Sequence, residues 1–165
     1  MPRQQLPACF PAPFSESPEL TPSNTPEEAK KTPWYAQGLR FTCQRCGRCC
    51  TGAPGYVWLD KHEIHRIARF LKLTEKDFLE RHCRQVFFKI SLLERENGDC
   101  IFFTPAGCRI YPVRPVQCTN FPFWDDILKS PENWAALRLR CPGVGNGRLY
   151  TTAEIEEINA GKRIT

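Results

Sequence analysis

A chain of 165 residues with net charge +5, ten cysteines and one methionine has the length for one ordinary domain and a tail. No apolar run approaches the roughly 20 residues of a spanning helix and the N-terminus lacks the apolar core of a secretory signal, so a cytoplasmic setting without a membrane partner is expected. The basic excess is scattered over Arg40, Arg45, Arg48, Lys61, Arg66 and Arg69 rather than gathered in runs, so no nucleic-acid partner is expected either.

Residues Met1 to about Pro33 hold eight of the fifteen prolines, with Ser, Thr and Glu between them. Such a composition buries too little apolar surface to offset its ordering entropy, so a disordered or polyproline-like tail is expected, with Cys9 outside any metal set. Trp34-Tyr35 marks the start of order. A short strand over Leu39–Thr42 then leads into Cys43-Gln44-Arg45-Cys46-Gly47-Arg48-Cys49-Cys50, and Tyr56–Leu59 reads as a second strand. Asp60 with Glu63 three residues on forms a capping box, and Ile64, Ile67, Ala68 and Leu71 supply one apolar helical stripe. Thr74 with Asp77 caps a second helix, ending near His82-Cys83. β-branched and aromatic residues from Val86 to Leu93 predict a strand. Asn97-Gly98 predicts a hairpin, with Cys100–Phe103 as its returning strand. Pro105, Pro112, Pro115 and Pro122 forbid a central strand and imply rigid, irregular connections. Alternation over Trp134–Leu139 suggests a short strand before Cys141-Pro142-Gly143. Thr151 and Glu154 cap a terminal helix running to about Ala160.

Four thiols within the run from Cys43 to Cys50, followed by Cys100, Cys108, Cys118 and Cys141, are too dense for core packing. In a reducing compartment this pattern points to metal ligation or redox chemistry. Cys43, Cys46 and Cys49 are spaced so that a tight loop wraps one metal or cluster, and Gly47 permits the positive φ of such a turn. A zinc site takes four ligands, and a cubane cluster commonly takes three local thiolates and a remote one followed by proline, as at Cys141-Pro142. One partition therefore sets Cys43, Cys46, Cys49 and Cys141 on one centre, and Cys50, Cys100, Cys108 and Cys118 on a second centre or an open one. Neighbouring side chains diverge, so Cys49 and Cys50 suit two metals or a bridge in a multinuclear centre. Disulfides, or a zinc site serving stability alone, are the alternatives.

Cys43-x-x-Cys46-Gly47-x-Cys49-Cys50, Cys100, Cys108-x-Ile110-Tyr111-x-x-Arg114-Pro115-x-x-Cys118-x-x-Phe121-Pro122 and Cys141-Pro142-Gly143 together resemble the YkgJ-type cysteine-cluster family. That family is described as a zinc- or iron-chelating domain and often labelled iron–sulfur. The resemblance covers about Phe41 to Glu157 and implies metal chelation by these eight cysteines. A flagellin lysine methylase resembles the same cluster domain, so the module can belong to an enzyme. Cys83 lies outside the family pattern and is expected to pack as a small hydrophobe.

His62, His65 and His82 are expected in solvated or capping roles. Arg114, fixed between Pro112 and Pro115, is a candidate donor to a cluster sulfur or a carboxylate. Tyr111, Phe121, Phe123 and Trp124 are expected to wall the centre from water. The whole reads as a small, loop-rich α+β domain over residues 34–165, with short strands, a hairpin and two or three helices organised by a cysteine-metal centre. The favoured cofactor is an iron–sulfur cluster or Fe/Zn ions, serving a redox or accessory role with a protein partner. A structural zinc interaction module and a metal carrier are the rival readings, and no sequence feature decides whether the protein is an enzyme.

Overall fold

The computed structural model describes residues 32–162; residues 1–31, with Cys9 and nearly all of the expected tail, lie outside them. The elements run β1 (Leu39–Phe41), β2 (Trp58–Leu59), α1 (Lys61–Leu71), α2 (Glu75–His82), β3 (Cys83–Val86), β4 (Lys89–Leu92), β5 (Phe103–Thr104) and β6 (Gly107–Cys108). They continue as α3 (Val116–Asn120), α4 (Asp125–Leu128), α5 (Pro131–Arg138), β7 (Arg148–Tyr150) and α6 (Thr152–Asn159), with 3-10 turns at Arg48–Cys50 and Tyr111–Val113. The result is a small α+β fold of short elements. Every strand pair is antiparallel: β1 with β7, β5 with β6, and β2-β4-β3 in a three-stranded sheet.

Local chemistry accounts for the helices read from sequence. The Asp60 carboxylate accepts from the Glu63 amide at 2.7 Å while the Glu63 carboxylate accepts from the Asp60 amide at 3.0 Å. This reciprocal pair satisfies amides that the first turn of α1 leaves without helical partners. Ile64, Ile67 and Ala68 form its buried face. Thr74 accepts from the Asp77 amide at the start of α2, and Thr151 with Glu154 forms the capping box of α6.

Three sequence expectations are corrected. Trp134–Leu139 belongs to helix α5, not to a strand. Ser130 accepts from the Asn133 amide and Pro131 opens the first turn, a start signal that outweighs the short alternation. Asn97-Gly98 does make a tight turn, with Gly98 at φ 82°, but its arms meet only at the single bridge Glu94–Cys100. Chain from Phe103 pairs instead with Gly107-Cys108. The strand expected over Val86–Leu93 is a hairpin, because the chain reverses at Phe87-Phe88 between β3 and β4. The proline-rich segment holds a 3-10 turn and the short helices α3 and α4. Pro115 stands as the residue before the first turn of α3, where the missing amide costs nothing.

The apolar interior is divided. One cluster joins Phe41, Phe123, Trp134, Val144, Tyr150 and Ile155, and takes in Cys141. The other joins Leu59, Ile67, Phe78, Leu92, Phe102 and Ile110, with Cys83, Cys100 and Cys108 packed against it. Neither is large, which leaves room for a crosslink to contribute stability.

Candidate metal centre

All eight cysteines of the sequence pattern line one cavity of about 410 Å³. Phe41, Cys141 and Tyr150 of the first apolar cluster and Leu92, Cys100, Cys108 and Ile110 of the second also face it. The cavity therefore sits where the two small cores meet.

The sulfurs arrive on different supports. Cys43 and Cys46 lie in an exposed loop, and Cys49 and Cys50 in the 3-10 turn that follows. Gly47 holds φ at 73°, and a Cβ there would stand 2.2 Å from the Phe103 ring. Only glycine fits, for both the left-handed backbone and the close approach. Cys50 is fixed in turn, since its amide donates to Gly47 and its carbonyl accepts from Cys100, both at 2.8 Å. Cys108 stands in β6, and Cys141 follows α5, donating its amide to Leu137.

Cys118 depends on α3, a helix too short to stand on its own propensity. Side-chain bonds to three other elements hold it. Glu63 accepts from the Val116 amide at 2.6 Å. Gln117 accepts from Trp58 and donates to Tyr56. Asn120 donates to the Ile158 carbonyl at 2.8 Å. The sequence marks Glu63 only as a capping residue of α1, and Gln117 and Asn120 belong to no motif. Polar side chains one position before and two positions after Cys118, in a proline-rich segment, are the only signal they leave.

The electrostatics divide the thiols. A hydrogen bond from the Cys50 thiol, 3.9 Å away, lowers the Cys49 thiol to about 7, with a smaller contribution from the Arg114 charge. The same contact and burial push Cys50 far up. Burial raises Cys100, Cys108, Cys118 and Cys141, although amides of Gly143 and Val144 partly offset it at Cys141. Without a cation these buried sulfurs stay protonated; a metal ion would displace the protons. Burial alone brings Cys83 up to about 12, and it packs beside the second cluster as expected.

Among the described residues no carboxylate lines the cavity, whereas Arg45, Arg48, Arg114 and Arg148 do. Soft thiol donors without competing carboxylates suit zinc, or iron in clusters, over magnesium or calcium. Among the described residues no group of three or more His, Cys, Asp or Glu is drawn tightly enough to hold a single ion. The sulfurs surround a volume rather than a point.

Arg114 donates to the Tyr111 carbonyl at 2.9 Å and lies 4.0 Å from the Tyr111 ring centre, with Arg45 over the same ring at 4.5 Å. No carboxylate pairs with Arg114 among the described residues, so its charge acts on Cys49, Cys108 and Cys118. Tyr111 and Phe121 line the cavity, and Trp124 lines a neighbouring one that shares Cys49, Cys50 and Cys100. Phe123 does not wall the site: it is buried against Phe41, Trp134 and Tyr150. His62 is exposed and His65 pairs with Glu75. His82 departs from expectation, half-buried against Phe78 and Phe102.

Comparison with known proteins agrees with the cysteine pattern. A family model, CxxCxxCC, described as "Putative zinc- or iron-chelating domain", matches residues 42–142. "Uncharacterized protein MJ0661" of Methanocaldococcus jannaschii is 34% identical over 91 residues, 54% of this chain. The match spans about half of that relative's length, 48%. No solved structure matches.

Proposed function

The chain belongs to the CxxCxxCC family of chelating domains, and from that premise we propose that its eight cysteines hold a polynuclear centre, iron–sulfur or iron/zinc, serving a redox or accessory role with a protein partner. The observation that carries this reading is the convergence of eight thiols on one cavity of about 410 Å³ between two apolar clusters. Four thiolates complete a zinc ion or a cubane cluster, so eight exceed the needs of one mononuclear site.

Cys43, Cys46, Cys49, Cys50, Cys100, Cys108, Cys118 and Cys141 would supply the ligands. Such a centre, when bound, supplies electron transfer or Lewis acidity. Arg114, and Arg45 across the Tyr111 ring, offset the negative charge of the thiolates and bias their protonation. Tyr111 and Phe121 limit water at the sulfurs, which tunes the potential of a cluster. The exposed Cys43–Cys49 side is the face a partner or incoming metal would reach. The expected cytoplasmic setting, which keeps thiols reduced, is part of this proposal.

The test is anaerobic purification with Fe, Zn and acid-labile sulfide measured per chain and visible spectra recorded before and after dithionite. More than one metal per chain is expected, with sulfide and a bleachable visible band if the centre is iron–sulfur. One zinc ion per chain, no sulfide and no colour would replace it with a structural zinc module.

A further inference from the structure

The β3–β4 hairpin turns on Phe87 and Phe88, which are 87% and 101% exposed. Val86 pairs with Lys89, so these two phenylalanines are the entire turn. Phe87 holds φ at 52°, in the left-handed region that turns of this length normally fill with glycine or asparagine. Turn chemistry therefore disfavours Phe87, and folding gains almost nothing from burying either ring.

Behind the tip the surface changes character in layers. Tyr56 and Trp58 stack at 4.7 Å. Lys89 lies 5.3 Å from the Trp58 ring centre, and Arg84 lies 4.9 Å from that of Tyr56. Lys61 and Lys89 border a groove beside Phe88; Asp60 and Glu63 also line it, their carboxylates engaged in the capping box of α1. An apolar tip is thus backed by amphipathic aromatics and by cations.

We propose that this tip docks on an anionic lipid surface, with Phe87 and Phe88 entering the boundary between headgroups and acyl chains and Lys61 and Lys89 meeting the phosphates. Two phenylalanines bury roughly 150–250 Å² each, together below the ≈800 Å² that each partner contributes to a standard protein interface. They also stand on a narrow turn, which has no flat face to offer a second copy. A bilayer requires no complementary pocket: binding there scales with inserted apolar area plus attraction to anionic lipid, and tryptophan and tyrosine favour the headgroup level. Among the described residues no helix is long and apolar enough to cross a membrane. A turn that inserts two side chains leaves no such trace in sequence, which is why no membrane partner was expected there. None of Phe87, Phe88, Lys61 and Lys89 lines the cysteine cavity.

The experiment is flotation of the full chain with phosphatidylcholine vesicles, with and without phosphatidylserine. The protein is expected to float with the phosphatidylserine vesicles and to be released at high salt. Phe88→Ser is expected to weaken partitioning by about tenfold. Phe87→Gly is expected to weaken it similarly without lowering the urea midpoint, since glycine adopts the left-handed turn freely. Metal content should match wild type in both variants. Absence of flotation with either vesicle, or flotation unchanged by both substitutions, overturns the proposal. Self-association abolished by Phe88→Ser, without vesicle binding, overturns it in favour of a second copy.

Discussion

Replacing Gly47 with alanine tests the geometry of the cysteine loop at its tightest point. The left-handed backbone at Gly47, φ 73°, costs a residue with a Cβ roughly 1–2 kcal/mol. The new methyl would lie 2.2 Å from the Phe103 ring, and forcing that contact adds roughly 1–3 kcal/mol, less if the ring swings aside. The sum, about 2–5 kcal/mol, is large against a typical total stability of about 5–15 kcal/mol. Urea denaturation measures it, with metal content assayed on the same samples. Gly55→Ala is the control, because a Cβ at Gly55 meets nothing within 4 Å; it should change stability by less than about 0.5 kcal/mol. In Gly47→Ala/Phe103→Leu the steric part should be relieved and the backbone part retained, giving a favourable coupling in the double-mutant cycle. If Gly47→Ala matched Gly55→Ala in both stability and metal content, the reasoning about this loop would be refuted.

Further outcomes follow from the supports and the thiols. Glu63→Ala removes the α1 capping box and the acceptor for the Val116 amide; a loss of about 2–4 kcal/mol by denaturant titration is expected. Glu63→Gln, which retains one acceptor, should lose less. In the metal-free protein, iodoacetamide should alkylate Cys49 with a midpoint near pH 7, as its thiolate forms above the lowered value of about 7. Cys50→Ala removes the hydrogen bond that stabilises this thiolate, so the midpoint should move upward; an unmoved midpoint would contradict the assignment. Cys118→Ser should lose metal and stability together, whereas Cys9→Ser should lose neither. Full metal content in Cys118→Ser would remove it from the ligand set.

What was legible in the sequence was carried by strong local chemistry. Asp60 with Glu63 and Thr151 with Glu154 make reciprocal caps that need no tertiary partner, so α1 and α6 could be read directly. The cysteines could be read because no packing role explains their density, and all eight line the same cavity. The misreadings fall where a local pattern met a stronger signal or a distant one. Trp134–Leu139 alternates over too few residues to outweigh the Ser130-Pro131 start. Cys100–Phe103 follows a good turn dipeptide, yet Phe103 pairs with Cys108 instead. Helix α3 depends on Glu63 reaching it from α1 and on Gln117 and Asn120 reaching β2 and α6, and contacts between residues so far apart leave no periodicity to read. Phe123 looked like part of the site wall because its neighbours Phe121 and Trp124 are close in sequence, but only burial separates the three.

The most direct test of the central claim is X-ray absorption at the iron and zinc edges of anaerobically purified protein. A centre built by these cysteines predicts a first shell of sulfur alone, near ~2.3 Å for zinc, with a metal–metal scattering path beyond it. A shell dominated by nitrogen or oxygen, or sulfur ligation without any metal–metal path, would contradict a polynuclear thiolate centre.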